Sequence, residues 1–176
     1  MGLPSGLLWA KKNVGADAPT DDGLYFSWGN VDGHAAGSGY EFSQEVYDST
    51  PGKNIETDLG IDSDAAHVNL GEPWRMPTKD EFQELYDNCT SEWTSLDGVA
   101  GRLFTSNING KSVFLPASGY YNGTFLSSHG ATGVYWASSY YSDTFAYYLQ
   151  LNSTEVHPQY HQVRHWGFTV RAVRDP

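Results

Sequence analysis

Two histidines are the first residues in this chain whose spacing could support metal chemistry. His157 and His161 lie four residues apart, which on a helix would place both imidazoles on one face, where they could hold a metal ion. Pro158 lies between them and their neighbours are polar, so a helix is not expected here. We therefore predict no metal site at this pair.

An acidic group formed by Asp58, Asp62 and Asp64 raises the same question for calcium. The group lacks the alternating aspartates and the glycine of a calcium-binding loop. Aspartate is also well suited to the N-terminal end of a helix, where its carboxylate accepts backbone hydrogen bonds. We expect helix capping here, with bound calcium as the alternative.

The sequence also lacks the common enzyme motifs. The chain contains no HExxH, GxSxG, GxxxxGK[ST] or GxGxxG string. The lone Cys89 excludes an internal disulfide, and we expect it to be a small buried residue rather than a nucleophile. His34 and His67 are isolated. We predict that the protein is not an enzyme and needs no cofactor.

The most distinctive composition belongs to residues 119–166, the Tyr-rich segment. It holds eight of the twelve tyrosines and four of the six histidines, and its only formal charges are Asp143, Glu155 and Arg164. Tyrosine and tryptophan offer large, rigid contact area, while Ser, Gly and Asn offer adaptable hydrogen bonding. This is the composition of a recognition surface, although an ordinary aromatic-rich β region could also show it.

Within the segment we distinguish buried scaffold from exposed ligand-binding side chains. Trp136, Leu149, Leu151 and Arg164 are expected to be scaffold. The residues expected to form an exposed ligand-binding site are Tyr121, His129, Tyr135, Tyr140, Tyr141, Asp143, Phe145, Gln150, Thr154, His157, Tyr160, His161, His165 and Trp166.

Charge narrows the range of partners. The formal net charge is −11, with −13 in residues 1–99 and +2 in residues 100–176. Nucleic acid and anionic membranes are bound chiefly through Lys and Arg, so we expect neither as a partner. No run of apolar residues is long enough to span a membrane, and no secretory signal precedes the first strand.

The periodicity of apolar residues predicts the helices and strands that position the Tyr-rich segment. The length predicts a single domain over residues 1–176. Two short helices are expected, one over 62–69 and one starting at the Thr78–Glu81 capping box. Short strands are expected at 7–10, 24–28, 134–138, 146–151 and 167–173, with an Asn-Gly hairpin between 102–107 and 111–117. Early helices and late strands indicate a loop-rich α+β fold with mostly antiparallel strands.

Four strings carry a resemblance to a known family: LPSGLLWAKKNVGA (3–16), GLYFSWG (23–29), DAAHVNLGEPWRMPTKDEFQEL (64–85) and GFTVRAVRD (167–175). They resemble the Fibrobacter-type major paralogous domain family, which is similar to the formylglycine-generating-enzyme branch of the C-type lectin fold. The resemblance implies a C-type lectin-like domain.

That fold includes variable proteins of diversity-generating retroelements, in which an error-prone copying step replaces adenines in one C-terminal region. The Tyr-rich segment lies at the matching position, just before the closing strand. The resemblance thus implies a phage or bacterial surface protein that attaches to a protein or glycan ligand on a cell. Gln159, Gln162 and Trp166 do not derive from Asn codons and need other template codons or are fixed.

Two alternatives stay open. The first is an invariant structural or adhesin domain of a bacterial surface protein. The second is an enzyme of the formylglycine branch, although that branch uses a reactive cysteine pair and this chain has only Cys89. The calcium-binding strings of sugar-binding lectins are also absent, since Glu72-Pro73 is followed by Trp74. The sequence leaves open the oligomeric state, including a trimer at the tip of a fibre.

Overall fold

The computed structural model describes residues 1–176 as a mixture of short helices and mostly antiparallel strands. The helices are α1 (Gln44–Tyr47), α2 (Ala65–Leu70) and α3 (Lys79–Asn88), with 3-10 helices at Pro51–Asn54 and Ile61–Ser63. The strands are β1 (Leu8–Trp9), β2 (Tyr25–Phe26), β3 (Cys89–Leu96), β4 (Val99–Ser106), β5 (Ser112–Pro116), β6 (Tyr120–Asn122), β7 (Phe125–Ser127), β8 (Thr132–Tyr140), β9 (Phe145–Asn152), β10 (Val156–Val163), β11 (Phe168–Thr169) and β12 (Val173–Arg174).

Both predicted helices form. α3 begins at the expected capping box: the Thr78 hydroxyl accepts from the Glu81 amide, and the Glu81 carboxylate accepts from the Thr78 amide. α2 starts three residues later than predicted, because Asp64 is its N-cap and accepts from the His67 amide. The capping role is thus confirmed for Asp64. α1 was not predicted, since four residues are too few to show helical periodicity.

A five-stranded sheet carries most of the Tyr-rich segment. Its order is β10-β9-β8-β11-β2, in which the β8–β11 pairing is parallel and the others are antiparallel. The central strand β8 is covered on both faces. Tyr135 and Ala137 belong to the core on the α3 side, whereas Val134 and Trp136 belong to the core on the other side.

The Asn-Gly hairpin is confirmed, with β4 and β5 paired in antiparallel register. In its turn only Gly110 takes a positive φ, of 69°. β3 adds a third strand to this sheet, and it was not predicted. Its sequence mixes polar residues with few apolar ones, and its exposed outer positions follow from that composition.

The predicted closing strand over 167–173 is wrong as one continuous element. β11 joins the five-stranded sheet, whereas β12 pairs with β1. Between them the buried Arg171 donates to the carbonyls of Ala10 and Phe114, so the chain here is covered on both sides. The apparent alternation in this stretch did not reflect an exposed face, because every residue from Gly167 to Val173 is buried.

No helix is both long enough and apolar enough to cross a membrane; the longest, α3, has 10 residues.

Candidate functional site

Four of the predicted ligand-binding residues lie with further aromatic residues on one side of the five-stranded sheet. We call this surface the aromatic face; its members are Tyr120, Gln150, His157, Tyr160 and Trp166, and Tyr148, which is 6% exposed, is a buried ring that packs against Tyr160. The His157 and Tyr160 rings stack with centroids 4.1 Å apart, and Tyr148 lies 6.0 Å from Tyr160. The Tyr120 and Trp166 rings stack at 5.1 Å with planes 2° apart.

The two stacked pairs are connected through Phe168. This residue is 1% exposed, and its ring lies 4.9 Å from Tyr148 and 6.4 Å from Trp166. Phe168 in turn stacks on the fully buried Trp136 at 4.2 Å. The exposed rings therefore rest on buried rings, so their positions are set by core packing.

A β-bulge in β10 creates the aromatic face. His157 and Tyr160 are three residues apart and would point to opposite sides of a regular strand. The register shifts between them, so that His157 pairs with Gln150 and Tyr160 pairs with Tyr148. Because residues 148 and 150 lie on one face of β9, the bulge brings both β10 side chains to that face.

A second group of aromatic residues, the edge cluster, lies on the α3 side of the sheet. It comprises Tyr141, Phe145, Tyr147 and His161. Tyr141 stacks on His161 at 4.2 Å and meets Tyr147 edge-on at 5.1 Å. The Lys79 ammonium lies 5.6 Å from the centre of the Tyr147 ring. The segment thus presents aromatic residues on both faces of the sheet.

Two predicted site residues are corrected by their burial. Tyr135 is 0% exposed because it lies in central strand β8, and its hydroxyl donates to the Pro116 carbonyl. Tyr121 is 7% exposed and packs between Tyr25 and Phe42. Neither side chain can contact a ligand in this structure, so the expectation that they are exposed is wrong.

Tyr140 and Asp143 belong to a structural network around Arg164. The Tyr140 hydroxyl donates to Asp143 at 2.5 Å, and this hydrogen bond raises the pKa of Tyr140. The Arg164 guanidinium, 1% exposed, lies 5.0 Å from the Tyr140 ring and 4.6 Å from the Trp28 ring. The scaffold role predicted for Arg164 is confirmed, as are the buried positions of Trp136, Leu149 and Leu151.

The remaining candidates are not brought into either group. His129 pairs with Asp22 at 2.9 Å. The ring of His165 contacts the Gln44 side-chain oxygen, and burial lowers the pKa of His165. Thr154 lies in the β9–β10 turn, where its amide and hydroxyl donate to Asn152.

Sequence reasoning missed several aromatic residues. Tyr148 was assigned to neither group, yet its ring joins Tyr160 to Phe168. Tyr120 and Tyr147 were missed in the same way. Phe125, 77% exposed, is the most exposed large apolar side chain of the chain. The one sequence signal for the exposure of Phe125 was its position in a polar turn region, beside Gly123-Thr124.

Burial shields polar groups of Tyr148, His157 and Cys89. Burial raises the pKa of Tyr148 to about 12, so its hydroxyl stays a neutral donor at physiological pH. His157 Nε2 is shielded from solvent and lies 3.0 Å from Glu155 without hydrogen-bond geometry. Cys89, the first residue of β3, is buried, and burial raises the pKa of its thiol to about 11.

The positions of the candidate metal ligands keep them apart. His157 lies on the aromatic face, whereas His161 pairs with Tyr147 and belongs to the edge cluster on the other face. The two imidazoles therefore cannot share one ion. Asp64 is committed to the amides of His67 and Met76, and Asp58 accepts from the Tyr140 amide. No group of three or more metal-ligating side chains is assembled.

The sequence model of one family, described as a domain of unknown function (DUF8237), matches residues 88–173. The match runs from the last residue of α3 to the first residue of β12, and it includes the whole Tyr-rich segment. No curated protein and no solved structure matches the chain significantly.

Proposed function

We propose that this chain is a non-enzymatic recognition module with a C-type lectin-like fold, whose aromatic face attaches to a protein or glycan ligand on a cell surface. One observation carries the proposal: the stacked pairs Tyr120–Trp166 and His157–Tyr160 lie on one side of a sheet, and the buried rings of Tyr148 and Phe168 connect them. Placement on a phage particle or a bacterial cell surface belongs to the same proposal.

The chemistry of this surface supports binding. Aromatic side chains bury much apolar area at low entropic cost, and tyrosine hydroxyls add directed hydrogen bonds. The backing by Phe168 and Trp136 keeps the rings in place before a ligand arrives, which reduces the entropy lost on binding. No member of the aromatic face is Lys, Arg, Asp or Glu, and Glu155 lies beside it, 3.0 Å from His157 Nε2; its contacts therefore depend mainly on shape and hydrogen bonding.

Contacts between the resembling strings support the C-type lectin-like fold. β1 comes from residues 3–16 and β12 from residues 167–175, and they pair with each other. Arg75, from residues 64–85, exchanges backbone hydrogen bonds with Val173 of β12. The strings that carry the resemblance therefore meet in one region of the structure.

The pattern of burial supports diversification of the segment. Gln150, Tyr160 and His161 are exposed or half-buried, while Leu149, Leu151 and Arg164 beside them are buried. A diversifying process could change the first group without disturbing the core. In β8 the expected alternation does not occur, because seven consecutive residues of this strand are buried. We therefore place the replaceable positions on β9, β10 and the adjoining loops.

Sequencing the gene across sibling isolates tests the diversification. We expect substitutions to concentrate at adenine-derived codons of exposed positions such as 150, 157, 160 and 161, with residues 133–139 unchanged. A near-copy of the 3′ coding end beside a reverse transcriptase gene is expected as well. An invariant segment in many isolates would instead favour the structural or adhesin domain.

Binding itself can be tested with the purified chain on a glycan array and on intact bacterial cells. Tyr160→Ala and His157→Ala should each weaken attachment at least about fivefold, in the range of aromatic contact residues. Tyr86→Ala is the matched control, because Tyr86 is 45% exposed on α3 and similar in exposure to Tyr160 at 41%. Equal attachment by all of these variants would refute the aromatic face as the site.

A further inference from the structure

A large open cavity lies away from the Tyr-rich segment, beside the β1–β12 pair. Its volume is about 880 Å³, and Trp9, Leu70, Trp74, Lys11, Lys12 and Arg174 are among the residues that line it. No residue of 119–166 contributes to the lining. The volume lies within the ~300–1,000 Å³ typical of small-molecule sites.

The cations that line this cavity form no ion pair with a carboxylate. Of the ten Lys and Arg residues, Arg75 and Lys79 form ion pairs with carboxylates, and Arg102, Arg164 and Arg171 are buried. The remaining five, none of which pairs with a carboxylate, are Lys11, Lys12, Lys53, Lys111 and Arg174. Three of these five line the cavity.

The local charge is opposite in sign to that of the whole chain. The lining contains three cations and one acid, Asp17, which gives +2, whereas the chain carries −11. A smaller hollow of about 370 Å³ adjoins the cavity through Trp9, Lys11 and Pro19, and Lys111 lies on its wall. A concave site of this sign concentrates anions.

The walls between the cations are apolar and aromatic. Trp9 is 7% exposed and packs against the Phe82 ring, so its indole is a fixed wall. Trp74 is half-buried, and the Arg174 guanidinium lies 5.6 Å from the centre of its ring. Leu70 remains 43% exposed at the cavity. A ligand that filled this space would need a flat apolar body.

We propose that this cavity binds a small organic anion with an aromatic body. Its acidic group would lie among Lys11, Lys12 and Arg174, and its ring would pack against Trp74. The combination of unpaired cations with indole walls favours this ligand over a neutral apolar molecule, which would leave the cations unused. The same combination favours an aromatic anion over inorganic phosphate, which would leave the apolar walls exposed to water.

Two dyes with nearly the same ring system test the proposal on the full chain. 1-Anilinonaphthalene-8-sulfonate carries the anionic group, whereas N-phenyl-1-naphthylamine lacks it. We expect the anionic dye to bind with enhanced fluorescence, and the neutral dye to bind at least about tenfold more weakly. Equal affinity for the two dyes, or no binding of the anionic dye, would overturn the proposal.

Substitutions then locate the site. Lys12→Ala and Arg174→Ala should each weaken binding of the anionic dye about fivefold, as expected for one partly solvated charge contact. Lys53→Ala is the matched control, because Lys53 is also an exposed, unpaired lysine but lies outside the cavity. Lys11 and Lys12 are exposed, so their replacement leaves the fold intact. A loss of affinity in Lys53→Ala equal to that in Lys12→Ala would refute the location.

A final comparison separates this site from the aromatic face. Tyr160→Ala should leave binding of the anionic dye unchanged, and competition with phenylacetate and phenyl phosphate shows which acidic group is preferred. Displacement of the dye by at least one competitor is expected. If neither displaces it, or if Tyr160→Ala abolishes dye binding, the cavity is not the site.

Discussion

Replacement of Arg164 by alanine is the sharpest test of the idea that fixed and replaceable residues share the Tyr-rich segment. The side chain is 1% exposed, and its guanidinium donates to the carbonyls of Ile55 and Ser142, with a longer contact to Phe145. These carbonyls come from two separate regions of the chain. Arg164 therefore holds the β9 and β10 end of the sheet against the loop around Ile55.

The loss of stability expected for Arg164→Ala follows from these contacts. Each of the two shorter hydrogen bonds from a charged donor contributes about 1.5 kcal/mol at the lower end of the usual range. Loss of the contacts with the Trp28 and Tyr140 rings adds about 1 kcal/mol. We therefore expect Arg164→Ala to lower the free energy of unfolding by about 4 kcal/mol. The substitution also removes the cost of burying a charge, but the carbonyls left without a donor offset that gain.

Urea unfolding followed by tryptophan fluorescence measures this change. Arg164→Lys should recover less than half of the loss, because a single ammonium cannot reach carbonyls in different directions. Tyr160→Ala, four residues away and 41% exposed, should cost less than about 1 kcal/mol. If Arg164→Ala and Tyr160→Ala were equally destabilising, the division into fixed and replaceable residues would be wrong.

Three further predictions concern single residues. Because burial raises the pKa of the Cys89 thiol to about 11, this thiol should react with Ellman's reagent at pH 8 at least about 100-fold more slowly in the native protein than in urea. Fast labelling of the native protein would contradict the burial of Cys89. Burial lowers the pKa of His165 from its ordinary 6.5, so the stability that the neutral imidazole contributes is present above that pH and is lost as the pH falls below it. Between pH 7 and 5, His165→Gln should therefore lose less stability than the wild type, as measured by the midpoints of urea unfolding. Asp64→Ala should lower the free energy of unfolding by about 3 kcal/mol, since it removes a helix cap and strands the Met76 amide, whereas Asp64→Asn should lose much less.

The sequence predicted the elements whose signals are local. The Thr78–Glu81 capping box specifies where α3 starts, because both of its hydrogen bonds join residues three apart. The β4–β5 hairpin follows from its turn for the same reason. The break between β11 and β12 was not predictable, since it depends on contacts of residues 170–172 with the N-terminal part of the chain, including Ala10.

The candidate site was only partly predictable for a similar reason. Tyr135 and Tyr160 have the same side chain, but one lies in the central strand and the other in the outermost strand of the sheet. Composition cannot distinguish them without the strand order. The side on which His157 lies depends on the β10 bulge. Pro158 lies in this bulge and is a residue type that sheets confine to edges and bulges, but it does not indicate the register with β9. Tyr148 was missed because burial on both faces of β9 hides its alternation.

The pairing of β1 with β12 has a mechanical consequence. Leu8 pairs with Arg174 and Trp9 with Val173, so the first strand begins beside the point where the last strand ends. A pulling force that acts at Leu8 and Arg174 would open the hydrogen bonds of this pair one after another rather than shear them together. The end pair would thus yield first under tension, while the five-stranded sheet that carries the aromatic face would not be stretched until the end pair had separated.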